Sequence, residues 1–231
     1  MFRARYNGGK TNGGPKMTSW FNRGALPNFA EHATKRPVRR YLEIGTWEGD
    51  SLFWVFRNVK PAFAIAVDPY PADRKRTAAE NRQRGYGVQR RWSEHFRHID
   101  GNIYFEPSSK ILPELLAANI GSFDFIYVDG SHRGGDVMFD ASLCWRMLAP
   151  GGLMIFDDWE ARAMSNVRGL RLAVDTFVRL HRDELSVEFV NRQFGIRRYD
   201  DPAADGTTLM PGATHLETGE NERCSRATDS S

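Results

Sequence analysis

The residues of this 231-residue chain that could do chemistry gather in two segments, FDFIYVDGSH and GGLMIFDDW. Each reads as an apolar strand ending on acid: Asp129 leaves the first, and Asp157 with Asp158 leaves the second. If the two strands are neighbours in an open α/β sheet, the three carboxylates converge at its carboxyl edge, where such sheets bind ligands. Carboxylates crowded together repel one another, and a cation is the usual remedy. An all-oxygen set suits Mg²⁺ or another hard divalent cation completed by water and substrate oxygens. The plainer arrangement open to the same residues has Asp157 and Asp158 capping a turn and Asp129 in a salt bridge.

A second constellation lies upstream. In YLEIGTWEGDSLFWV a strand passes through Gly45 and Gly49 into a helix that Asp50 or Ser51 could cap. Glycines there allow a tight turn and a close approach of ligand to backbone near the helix N-terminus. Asp68 ends the next strand, AIAVDPY, where a carboxylate can accept both hydroxyls of a ribose.

Positioning these residues requires alternating strands and helices. Apolar runs predict strands over 40–44, 62–67, 102–105, 123–128, 153–156, 186–190 and 195–199, interleaved with helical patterns. One helix precedes the sixth strand, with Val167, Leu170, Val174, Phe177 and Val178 on one face. The last two strands are too close for a crossover, so the final strand is expected to be antiparallel. The expectation is a Rossmann-like, doubly wound α/β fold with a seven-stranded, mostly parallel sheet.

With the motifs in place, LEIGTWEGDS resembles the first motif of class I S-adenosylmethionine-dependent methyltransferases, and is similar to that of catechol O-methyltransferase and its relatives. The Gly-x-x-x-Gly spacing departs from the dinucleotide fingerprint, in keeping with a donor that has no pyrophosphate to cradle. The resemblance implies that Glu43, Gly45, Trp47, Gly49 and Ser51 surround the methionine part of S-adenosyl-L-methionine and that Asp68 meets its ribose. PSSKILPEL is similar to the stretch that meets the adenine, which implies Ser108 and Ser109; Ser108 could equally cap the helix beginning near Lys110. VDGSH and FDDW resemble the strand ends of metal-dependent O-methyltransferases, among them the macrolide sugar enzymes. There Asp129, Asp157 and Asp158 would be the metal ligands, and His132 would stand where such enzymes keep a general base. Catechol O-methyltransferase has lysine at that offset and another residue where Gly130 stands, so the macrolide-type relatives match better. The implied activity is O-methylation of a small-molecule hydroxyl assisted by Mg²⁺ or another divalent cation.

Composition sets the remaining bounds. A formal net charge of +3 does not call for nucleic acid or a membrane surface. Cys144 and Cys224 build no disulfide framework, which suits a cytoplasmic protein. No apolar run approaches the ~20 residues of a membrane span. Residues 1–17 and 201–231 lack apolar periodicity and are expected to be a disordered leader and tail around a methyltransferase domain over 18–200, with Met17 an alternative start. A homo-oligomer is compatible with the sequence. Residues 71–100 carry eight Lys or Arg against four acids, a pattern that suits a solvated helix or, with Arg90, Arg91 and Trp92, a cradle for an anionic substrate. His95 and His98 share a helical spacing without further ligands nearby, and Trp159 fits either a pocket wall or the core. Two other functions share the early strand, turn and acid. A nicotinamide-dependent oxidoreductase would need a fuller phosphate fingerprint and a Tyr-x-x-x-Lys, which does not occur within 18–200. A catalytically inactive module holding RNA would have little use for three acids and His132.

Overall fold

A computed structural model describes residues 21, 24–73, 75–160 and 167–200. The expected leader, with Met17, and the expected tail, with Cys224, lie outside the described residues. The elements run α1 (Leu26–Asn28), a π-helical turn (Phe29–Ala33), β1 (Arg40–Ile44), α2 (Asp50–Asn58), β2 (Phe63–Val67), α3 (Ala78–His95), β3 (Asp100–Tyr104), α4 (Ser108–Ala117), β4 (Phe123–Val128), α5 (Gly134–Met147), β5 (Leu148–Phe156), α6 (Val167–Leu180), β6 (Leu185–Val190) and β7 (Phe194–Arg198).

The seven strands form one sheet in the order β3-β2-β1-β4-β5-β7-β6. β7 is antiparallel to both neighbours and the other pairings are parallel, so the expected architecture is the observed one. Side chains alternate across the pleat. Leu42 and Ile44 of β1 join Ile126, Val128, Met154 and Phe156 against α4, α5 and α6. Tyr41 faces the other way, with Phe125, Tyr127 and Ile155, against α2, α3 and the N-terminal segment. That segment docks through Phe29, whose ring stands edge-on to Tyr127 at 4.8 Å and to Phe125 at 5.3 Å.

Several local expectations are corrected. Neither Asp50 nor Ser51 caps α2: the cap position is Gly49, at φ 77°, without a side-chain cap. Ser108 does not cap a helix at Lys110, because α4 starts at Ser108 itself, behind Pro107. His98 lies beyond the end of α3, so it shares no helix face with His95. β5 starts five residues earlier than expected, straight from α5, and pairs Leu148 with Phe123.

The order reverses direction between β1 and β4, which opens a crevice at their carboxyl ends. Parallel pairing continues one residue past each strand. Asp68 N donates to Tyr104 O at 3.0 Å, Gly45 N to Val67 O at 2.8 Å, Asp129 N to Ile44 O at 2.7 Å and Asp157 N to Val128 O at 3.0 Å. Asp68, Gly45, Asp129 and Asp157 therefore stand in a row along one edge.

Candidate active site

The glycine turn is built around Asp68. This carboxylate, 6% exposed, accepts the backbone N–H of Thr46 at 3.0 Å, of Trp47 at 2.8 Å and of Tyr70 at 2.7 Å. A carboxylate offers about four lone-pair sites, so three internal bonds leave one acceptor position. Burial pushes the Asp68 carboxyl above its ordinary range despite these amides. Gly45, at φ 84°, lets the turn lie against the β4 loop, where an added Cβ would fall 1.9 Å from Asp129 O. The glycine thus serves an approach of backbone to backbone.

Trp47 is the exposed part of the turn, 43% accessible, with the Arg84 guanidinium 4.9 Å from its ring centre and Arg84 paired to Glu48 at 2.6 Å. Glu43 is fully buried below the turn. It accepts the Tyr41 hydroxyl and, at 3.0 Å, the Ser51 hydroxyl. Burial raises its carboxyl to about 8. Ser108 helps hold Asp140, a buried acid on α5 that burial raises to about 6; Ser109 is exposed.

Glu43 gives a pH prediction. Its folded value lies above the ordinary 4.5, so between those pH values the folded chain holds a proton that the unfolded chain lacks. Stability should then fall as pH rises from about 4.5 through about 8, by up to about 1.4 kcal/mol per pH unit, and level off above. In urea unfolding at pH 5, 7 and 9, Glu43→Gln should flatten this decline and exceed the native chain at pH 9. Parallel profiles would mean that Glu43 is already ionised in the fold.

The acid cluster lies across the crevice floor. One ligand atom each from Asp129, His132 and Asp158 lie within 4.8 Å of one another, a grouping of the kind that holds a metal ion. His132 Nε2 stands 3.2 Å from Asp158 Oδ2, and this partner raises the imidazole pKa above its ordinary value. Asp158 is reached through a left-handed backbone at φ 54°. Asp157 lies outside that grouping; its Oδ2 accepts the Tyr127 hydroxyl at 2.7 Å. Burial and neighbouring carboxylates raise both Asp129 and Asp157, Asp129 strongly. Such mutual repulsion among half-buried acids is what a cation relieves, and the oxygen and imidazole donors suit a divalent ion.

Other candidates fall away from the site. Trp92 is buried and donates to Ile99 O at 3.0 Å, and Arg91 lies 3.9 Å from the Phe53 ring centre, so neither belongs to an open anion cradle. Trp159 is a core residue, held by Asp175 at 3.2 Å and by the Phe194 ring at 5.4 Å. A cleft at the opposite, amino edge includes Arg36, Asp124 and Arg197. Three of its charges are engaged: Arg36 by Asp200 at 2.8 Å, Arg197 by Glu188 at 2.9 Å, and Asp124 by the backbone amides of Arg39 and Arg40. No described helix is long and apolar enough to cross a membrane.

Sequence reasoning missed Tyr127, although its place two residues before Asp129 in a strand sets it on the same face. It also missed Gln193, which reaches the Tyr127 hydroxyl, and Asn28, which holds Gln193 from a remote part of the chain.

Comparison with known proteins gives a family and a fold. The family described as a methyltransferase domain matches residues 42–159. An uncharacterised protein of Acanthamoeba polyphaga mimivirus is 30% identical over 140 residues, which is 58% of this chain and 58% of that protein. The chain thus matches little more than half of that relative's length. Among solved structures, the O-methyltransferase TomG of Streptomyces achromogenes, involved in tomaymycin synthesis and in complex with S-adenosylmethionine, is similar with a TM-score of 0.56 at 19% identity, over 81% of this chain and 83% of that one. An O-methyltransferase of Bacillus cereus bound to S-adenosylhomocysteine gives 0.52 at 16%, over 80% and 84%. The MycE methyltransferase of the mycinamycin pathway, bound to Mg and S-adenosylhomocysteine, gives 0.51 at 17%, over 84% and 52%.

Proposed function

The chain belongs to the methyltransferase-domain family, and from that premise we propose that it transfers the methyl group of S-adenosylmethionine to a hydroxyl of a small molecule, assisted by a divalent cation. The observation that carries this reading is the backbone contact between the two halves of the crevice: the Gly45 turn is pressed onto Asp129. A donor resting on the turn would have its sulfonium methyl beside Asp129, His132 and Asp158.

In this reading the turn amides fixed by Asp68, with Trp47, Gly49 and Ser51, seat the methionine part; Asp68's remaining acceptor position takes a ribose hydroxyl, and Ser108 and Ser109 lie toward the adenine. Glu43 acts from below by holding Ser51. Asp129, Asp157 and Asp158 would hold the cation, with Asp157 oriented by the Tyr127 hydroxyl. When bound, the ion supplies positive charge that stabilises the acceptor oxygen as its proton leaves. His132 turns Nε2 to Asp158 at 3.2 Å, so the imidazole would take that proton at Nδ1, with Asp158 holding the Nε2–H and strengthening the base. The acceptor oxygen forms its bond to the methyl carbon, the carbon–sulfur pair stays on sulfur, and S-adenosylhomocysteine leaves. Alignment of oxygen, carbon and sulfur is the rest of the task. A second reading, carried by the grouping of Asp129, His132 and Asp158, makes His132 itself a ligand. Family membership leaves no role for the nicotinamide alternative, and the packed Arg91 and Trp92 speak against an RNA surface there.

The test is methyl transfer across a library of hydroxyl acceptors, with Mg²⁺ and with chelator. Transfer to nitrogen acceptors alone would overturn the oxygen assignment. For the donor half, Asp68→Ala should weaken S-adenosylhomocysteine binding at least about tenfold, because it frees the turn and removes a ribose acceptor, losses on the order of 1 to 3 kcal/mol. Calorimetry showing unchanged affinity would remove Asp68 from the donor site.

A further inference from the structure

A ladder of amides runs from the N-terminal segment to the acid cluster, and its direction is fixed at one end. The backbone N–H of Gln193 donates to Asn191 Oδ1 at 3.0 Å. A backbone N–H can only donate, so the Asn191 oxygen must be on that side and its Nδ2 on the other. That Nδ2 donates to Asn28 Oδ1 at 2.9 Å. Asn28 Nδ2 then donates to both Asn191 Oδ1 at 3.0 Å and Gln193 Oε1 at 2.8 Å, which turns Gln193 Nε2 toward the Tyr127 hydroxyl oxygen at 3.4 Å. With a donor already arriving, the hydroxyl gives its single proton to the carboxylates, chiefly to Asp157 Oδ2 at 2.7 Å, with Asp129 Oδ2 at 3.3 Å sharing it. Gln193 is fully buried and Asn28 is 6% exposed, so water does not compete for the middle of the ladder.

We propose that Asn28, Gln193 and Tyr127 are positioning residues that direct the Tyr127 hydroxyl proton into the acid cluster, shared between Asp157 and Asp129, and so orient these carboxylates toward a divalent cation. This rests on the cation reading above. Were Gln193 reversed, its carbonyl would face Tyr127 and draw the hydroxyl proton away from both carboxylates, and Asp157 would also lose the Gln193 amide as a donor. Outer hydrogen bonds of this kind orient metal ligands, and their loss costs about 10- to 100-fold in metal affinity. The ladder also makes the N-terminal segment part of the site without touching it, since Asn28 and Asn191 are 163 residues apart in sequence.

The experiment is a titration with Mn²⁺ alone, read by the spin-resonance signal of the free ion, on the full chain and two variants. Melting curves and S-adenosylhomocysteine calorimetry check the fold and the donor site. Tyr127→Phe keeps the ring and removes the hydroxyl; Mn²⁺ affinity should fall about 10- to 100-fold while the donor site is unchanged. Asn28→Asp puts an acceptor where Asn28 Nδ2 meets Gln193 Oε1 and so turns the Gln193 amide over. Added negative charge alone would tighten cation binding, whereas reversal of the ladder should weaken it by about threefold or more, a fraction of the full outer-bond effect. Unchanged or tighter Mn²⁺ binding in either variant overturns the ladder's role and leaves the cation reading standing. No Mn²⁺ binding by the native chain overturns both.

Discussion

Gly45→Ala is expected to destabilise the chain by about 3 to 5 kcal/mol, at the upper end of what single substitutions do. Two independent costs combine. The residue sits at φ 84°, where a side chain costs roughly 1 to 2 kcal/mol. The added Cβ would also lie 1.9 Å from Asp129 O and 2.5 Å from its carbonyl carbon, atoms of a backbone that cannot swing aside. Relief requires the β1 and β4 loops to separate, which breaks the bond from Asp129 N to Ile44 O. For a domain of this size the melting point should drop by about 6 to 20 °C. Donor binding should weaken with it, because the turn that Asp68 fixes is the part displaced. Gly87→Ala is the control. Gly87 lies inside α3 with nothing within 4 Å of its added Cβ, so alanine there should be neutral or stabilising by about 0.5 to 1 kcal/mol through helix propensity. A Gly45→Ala melting point within 2 °C or so of the native one would show that the loops part cheaply and that the pressed turn does not hold the crevice.

Gly45 also shows what was legible in the sequence. Its place between a strand and a helix marked a turn, but the need for glycine comes from Asp129, a residue 84 positions later that no local pattern could supply. Strand edges followed alternation well where both faces are apolar, as in β1 and β4. They failed in β5, because Ala149, Pro150, Gly151 and Gly152 carry turn chemistry while Leu148 is already paired with Phe123. Asp129, Asp157 and Asp158 could be placed along one edge from strand ends alone. Which oxygen of each points where could not, since that depends on Tyr127, Gln193 and Asn28. Serine identities misled for a related reason. Ser51 and Ser108 have the chemistry of caps, yet buried acids, Glu43 and Asp140, claim their hydroxyls.

The largest effect on activity should come from the cation and His132. Chelation is expected to abolish transfer while leaving S-adenosylhomocysteine binding nearly unchanged, because the donor seat is built from the Gly45 turn and Asp68 on the other side of the crevice. Activity and donor affinity should therefore separate. His132→Ala should cut turnover by about 10² to 10⁴, the usual worth of a positioned general base, with Mn²⁺ affinity kept. The deficit should shrink as pH rises, since hydroxide can then remove the acceptor proton. If His132 is instead a ligand, the same substitution lowers Mn²⁺ affinity and excess metal restores turnover, so one titration separates the two roles that its 3.2 Å contact with Asp158 allows. Asp158→Asn tests the pair from the other side: it should weaken the cation and, by removing the charge that raises the imidazole pKa, make His132 a poorer base. Full transfer in chelator with an identified hydroxyl acceptor would sink the cation mechanism. The carboxylates would then need another counter-charge, and protonated His132 beside Asp158 would be the nearest one available to them.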